Sequence, residues 1–224
     1  MISDLINKQD SFEVVRDKIA LILATESESQ QSLAVAAGED PAQWKLRVFT
    51  ERSQPWNDWY VSGAPTDRAP IINVWYENGS FDSSSGDVIK TQLHRAIFNV
   101  DCIGLGVAKN TDAGHDSADE LAAKEAQRAA KLVRNILMSG VYTRLDLTGT
   151  VFRRWVNSIS LFQPNLSENS AFNALGARIS LAVDFNETSP QVSGQPLELI
   201  SIDITRSEDG QILAETDFIH TGAP

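Results

Sequence analysis

A chain of 224 residues that is 42% hydrophobic holds enough apolar material for one core-forming domain, or one domain with an arm, and no apolar run reaches the roughly 20 residues needed to span a bilayer. The single cysteine, Cys102, excludes an internal disulfide framework, and the start Met1-Ile2-Ser3-Asp4 has no basic stretch leading into an apolar block, so neither a signal peptide nor a membrane partner is expected and a cytosolic origin is. The net charge of −11 lies at the ends: three basic groups face eight acidic ones in residues 1–40, one faces eight in residues 184–224, and the body between carries fifteen against fourteen, so gripping phosphates is not expected.

Phe12, Val15, Ile19 and Ile22 recur at helical spacing behind Asp10 or Ser11, either of which can cap a first helix. Glu26 to Gln31 is a polar tail, and Ala34 to Ala37 add a last turn before Gly38 and Pro41. Trp44 to Phe49 alternates as a strand. Residues 53–69 hold two prolines, a glycine and the aromatic cluster Trp56, Trp59 and Tyr60. A loop this long in a compact domain is an arm or interface, or it tucks its aromatics onto the core; both readings stay open. Pro70 to Tyr76 reads as a strand, Asn78-Gly79 as a turn, and Phe81 to Asp87 as flexible.

Gln92 to Ile103 reads as one long strand with Ala96, Phe98, Val100 and Cys102 on one face and Arg95, Asn99 and Asp101 on the other. A polar turn at Lys109 to Gly114 leads to the strongest helix, from about Ser117 to Ser139. Ser117 and Glu120 have capping-box spacing; Leu121, Ala129, Leu132, Val133, Ile136 and Leu137 form the apolar stripe, and Gly140 is placed as its stop. Val151 to Phe162 is a strand containing Arg153, Arg154 and Trp155, and Ala174 to Phe185 is the cleanest alternating strand. Residues 190–196 read as a linker into an acidic β-hairpin, with Ile200, Ile202 and Ile204 alternating along its first strand.

The expected fold class is therefore α+β: a mainly antiparallel β-sheet with two long helices packed on one face, plus a C-terminal β-hairpin arm. The expected division is a domain at 1–189 and the acidic hairpin arm at 190–224.

The chemistry is sparse. Gly104-Leu105-Gly106 follows a strand, but Lys109 stands where a dinucleotide fingerprint needs its third glycine, and the helix begins too late to meet phosphates. Asp112, His115, Asp116 and Asp119 cluster before the second helix with no calcium-loop spacing, so helix capping is preferred to metal binding. Cys102 sits on an apolar strand face, where a thiol is inert. His94 and His220 have no acid or nucleophile partner in sequence. The expectation is a non-enzyme with no catalytic, metal or cofactor residues and no cofactor.

The order of elements carries a resemblance over residues 10–187. An N-terminal helix, the Pro70-flanked Ile71-Ile72-Asn73-Val74-Trp75, the strand Arg95-Ala96-Ile97-Phe98-Asn99-Val100-Asp101-Cys102, a long Ala-rich helix and two closing strands resemble the tail-terminator (tail-completion) proteins of long-tailed bacteriophages. The resemblance implies a structural virion protein, assembled in the host bacterial cytoplasm. It implies a homo-oligomeric ring, commonly a hexamer, that caps the tail tube, ends tail polymerisation and docks the head–tail connector, with genomic DNA passing through the lumen unbound. The acidic hairpin departs from the minimal pattern and is expected to reach a neighbour or the sheath of a contractile tail. The interface residues expected on this reading are Trp56, Trp59, Tyr60, Arg153, Arg154, Ile200, Ile202 and Ile204. Alternatives are a neck adaptor or stopper, a tube-like subunit, or a small-molecule-binding or hydrolytic domain with a pocket near His94 and the 53–69 loop.

Overall fold

The computed structural model describes residues 9–55, 70–82, 91–110, 114–164 and 173–187, and the backbone alone of 111, 188 and the strands at 199–205 and 212–219. The chain divides into a body, Asn7–Ser189, and a second unit made of Met1–Ile6 with Pro190–Pro224. The body is an α+β fold with two helices and one mainly antiparallel five-stranded sheet.

Helix α1 (Ser11–Ala37) starts at Asp10, whose N–H donates to the Glu13 carboxylate at 3.1 Å. It runs unbroken through the polar stretch Glu26 to Gln31 to the last turn expected at Ala34 to Ala37, and Val15, Ile19, Ile22, Leu23 and Ala34 all find buried positions along it. It stops at Gly38 (φ +73°), where the N–H groups of Gly38 and Glu39 reach the carbonyls of Val35 and Ala34. Ser27, in the middle of α1, is 2% exposed. Its Oγ donates to the Trp44 carbonyl and accepts the Leu46 N–H, both at 2.9 Å. That clasp shortens the expected strand at Trp44: Pro41–Trp44 is a 3₁₀ turn, and β1 spans only Arg47–Thr50.

The remaining body elements are β2 (Ile71–Asp82), β3 (Thr91–Gly106), the small ladder of β4 (Lys109–Thr111) and β5 (Gly114–Asp116), α2 (Ala118–Leu137), β6 (Val151–Phe162) and β7 (Asn173–Thr188). The main sheet runs β1-β2-β3-β7-β6; β1 is parallel to β2 and every other pairing is antiparallel. Thus β3 and β6 point the same way, with α2 as the crossover between them.

Both helices cover one face. Ile72, Val74, Ala96, Phe98, Val100, Cys102, Ile179, Leu181, Val183 and Phe185 pack there against Val15, Ile19, Leu23, Ala126, Ala129, Val133 and Leu137. A Cβ on Gly104 would lie 2.3 Å from the Ala122 carbonyl oxygen, and one on Gly106 would lie 1.7 Å from that of Ala118. The two glycines are where the α2 backbone lies directly on β3, which is why Ala122 and Ala126 belong to the buried stripe.

Four local expectations are corrected. Asn78-Gly79 is no turn: β2 continues through it with a bulge between Tyr76 and Asn78, because β3 supplies eleven paired positions along the strand. Gly79 is small because the His94 ring occupies the space its Cβ would take. Ser117 is the N-cap of α2 but makes no side-chain cap to the helix, so the Ser117–Glu120 box does not form; Asp119 accepts the Glu120 N–H instead. Gly140 is not the helix stop: α2 ends at Leu137 with Met138 as its cap, and Gly140 opens a 3₁₀ turn to Tyr142. The polar turn at Lys109 to Gly114 is the β4–β5 ladder.

In the second unit, β8 (Leu199–Thr205) and β9 (Ile212–Ile219) form an antiparallel hairpin.

Candidate functional site

The helix-free face of the sheet carries the polar groups. Asp101 on β3 takes two hydrogen bonds from Arg178 on β7, at 2.7 and 3.0 Å, and a third at 3.0 Å from the Trp75 indole on β2. The Arg178 guanidinium lies 4.9 Å from the Trp75 ring centroid and 5.0 Å from that of Phe162 on β6. The Asp101 carboxylate holds the Arg178 pKa above its ordinary value. A cleft of about 360 Å³ opens beside this cluster, lined by Glu51, Arg52, Asn73, Trp75, Asp101 and Arg178. Its polar groups are already engaged: Glu51 accepts the Tyr76 N–H at 3.0 Å, and the Asn73 side chain both donates to and accepts from the Arg52 backbone. The cleft is therefore suited to holding strands together, with Asp101 paired to Arg178 and Glu51 paired to Arg16.

His94 is not part of that cleft. It lies on the helix-covered side, stacked on Phe81 at 4.2 Å and packed against Tyr76 and Phe185. Burial lowers its pKa, so the ring is held neutral. Cys102 is likewise fully buried, and burial pushes its thiol far up, the Asp101 charge adding to the shift, which leaves it unreactive. His115 Nδ1 meets Asn110 Oδ1 at 2.8 Å. No group of metal-ligating side chains occurs among the described residues, and Asp112 lies outside them.

Strand β6 is the other candidate surface. It forms one edge of the main sheet, and among the described residues no strand pairs with its outer side. Register places Arg154, Val156, Ile159 and Leu161 opposite Val183, Leu181, Ile179 and Ala177, hence on the helix side. Arg153, Trp155, Ser158, Ser160 and Phe162 share the other face. Phe152, Ile159 and Leu161 are 51%, 50% and 68% exposed, although Ile159 stands beside the fully buried Ile179. The apolar core thus runs out to this edge and continues past the cover the helices give.

The two arginines expected at an interface have distinct positions. Arg153 reaches across to the buried Asp184, with Nε 2.6 Å from Oδ2, and lies over the Trp155 ring. Arg154 points the other way, donating from Nε to the Tyr142 carbonyl and from Nη2 to the Ser139 carbonyl, both at 2.7 Å. It therefore fastens β6 to the turn after α2, and burial lowers its pKa. Trp56, Trp59 and Tyr60 lie outside the described residues. Ile200, Ile202 and Ile204 fall on β8 in one row, opposite Phe218, Thr216 and Ala214 of β9. The residues missed in sequence are Ile159, Leu161 and the Asp101–Arg178–Trp75 cluster. Alternation alone does not reveal that β6 is an edge strand.

No protein-family profile and no curated protein matches this chain.

Proposed function

We propose that this protein is a structural subunit of a long-tailed phage virion that assembles as a ring, most simply a hexamer, on the last ring of the tail tube. There it ends tail polymerisation and offers a docking face to the head–tail connector, and to the sheath where the tail contracts. The genome passes through its lumen unbound, as the acidic ends favour. The protein is not an enzyme on this reading.

The observation that carries the proposal is β6. A twelve-residue edge strand with exposed apolar side chains is a liability in a monomer and an asset in a subunit that must join its copies. The order of helix, three strands, crossover helix and two closing strands supports the same reading through the resemblance in sequence texture.

The test is assembly. Native mass spectrometry of the full chain should give a closed oligomer, and negative-stain images should show rings that bind the ends of tail-tube polymers. A monomer that neither forms rings nor halts tube growth would overturn the proposal. Rings that bind a connector but ignore tube ends would move the protein to a neck adaptor or stopper. A small-molecule role is less well supported, because Asp101 and Arg178 at the centre of that cleft are bound to one another and to Trp75.

A further inference from the structure

We propose that the outer edge of β6 receives the acidic hairpin of a second copy of this chain, which adds to the sheet as a sixth strand. The proposal rests on the assembly reading above and names its contact.

Three observations converge on that occupant. First, β6 offers a regular template only in its second half. Its register shifts fall between Val151 and Arg153 and between Val156 and Ser158, leaving Ser158–Phe162 in unbroken pairing with β7. That segment, Ser-Ile-Ser-Leu-Phe, has no proline and no charge, the usual devices that blunt an edge. Its outward backbone groups have no strand partner among the described residues and call for one.

Second, the hairpin has a matching pair of faces. Pairing of β8 with β9 puts Ile200, Ile202 and Ile204 in a row with Phe218, Thr216 and Ala214, and puts Ser201, Asp203, Glu215 and Asp217 in the alternate row, which Leu199 and Ile219 close at its end. The β6 edge is divided the same way, with Ile159 and Leu161 on the helix side and Arg153 on the other. A strand added with its isoleucine row beside Ile159 and Leu161 continues the core, and its acidic row then falls on the side of Arg153.

Third, the hairpin needs such a partner. Asp203 stands directly opposite Glu215, a like-charge pairing that disfavours an isolated hairpin. Two strands alone are marginal in water, and a third gives the apolar row something to cover. The charge balance agrees: on the face where the acidic row would fall β6 carries Arg153 and no acid, while residues 197–219 carry six acids against one arginine.

Cysteine cross-linking tests this, since Cys102 is buried and leaves a quiet background. Full-length chains carrying Ser158→Cys or Ser160→Cys are mixed with chains carrying Ser201→Cys or Thr205→Cys and oxidised. The expected result is a heterodimer band in at least one of the four mixtures. The full chain carrying Ile200→Ser, Ile202→Ser and Ile204→Ser in addition should lose that band while the helical signal of the body melts unchanged. Rings that persist with no cross-link in any mixture would overturn this contact and leave the ring reading standing. Cross-linked open chains without rings would support the contact and overturn the ring reading. A bridge that forms only within one chain carrying both cysteines, with no gain in mass at any concentration, would overturn the proposal, since the hairpin would then serve its own edge.

Discussion

Replacing Gly104 by alanine tests whether the body is held by direct contact of the α2 backbone with β3. The new Cβ would stand 2.3 Å from the Ala122 carbonyl oxygen and 2.5 Å from the Ala126 nitrogen. Both are backbone atoms, so no side chain can rotate away. Restoring an ordinary separation requires α2 to withdraw by about 1 Å, and that gap already forfeits a quarter to a half of each dispersion contact it opens. Ala122, Ala126, Ala129, Val133 and Leu137 are all essentially fully buried along the contact, so the loss is shared by four turns of helix. Overpacking of this kind costs about 1–3 kcal/mol, and the rigid neighbours place Gly104→Ala near the upper end. With a urea slope of about 2 kcal/mol/M, the unfolding midpoint should fall by roughly 1 M or more. Gly140→Ala is the control: nothing lies within 4 Å of its Cβ position. That variant should be neutral or slightly more stable. Equal midpoints for the two variants would refute the direct-contact account.

Burial holds the His94 pKa below its ordinary value, so the unfolded chain binds its proton before the native one does; stability should fall as the pH drops below about 6.5, and His94→Leu should flatten that slope in denaturant melts. Asp101→Asn removes the charge that faces Arg178 and should cost about 1–2 kcal/mol, less than for a fully buried pair because the arginine is partly exposed; an unchanged Trp75 emission and midpoint would sink the clamp assignment. Ser27→Ala leaves the Leu46 N–H and the Trp44 carbonyl without their bridge and should cost about 1–3 kcal/mol, read as a lowered melting midpoint. Leu161→Lys should reduce oligomer mass while the monomer's unfolding free energy stays within about 0.5 kcal/mol, since this side chain is 68% exposed.

Elements whose pattern answers to a buried face were legible in sequence. Ala96, Phe98, Val100 and Cys102 share one face of β3, and all four are buried where expected. The bounds of β6 match because its β-rich run is flanked by turn residues. What failed depends on neighbours distant in the chain. Asn78-Gly79 carries a strong local turn signal, yet pairing with β3 outweighs it. The stripe of α2 was read from its large residues, whereas close approach to Gly104 and Gly106 puts Ala122 and Ala126 at the contact and leaves Leu121 and Leu132 half-buried. Asp101 was placed on a strand face, but nothing local indicates that register sets Arg178 beside it.

The same distinction bears on the assembly proposed for β6. An extended strand that must be ordered on binding loses conformational entropy, and a strand fixed beforehand avoids that loss. Here the fixing is done by the two arginines that sequence had placed at an interface. Arg154 ties one face of β6 to the carbonyls of Ser139 and Tyr142, and Arg153 ties the other to the buried Asp184. Both lie between the two register shifts, so the strand is held where it is irregular. Its regular half, Ser158–Phe162, is left extended beside β7 with its outer side open among the described residues. On the proposed assembly the arginines would serve the interface by shaping the edge next to it, and the contacts themselves would fall to Ile159, Leu161 and the backbone between them.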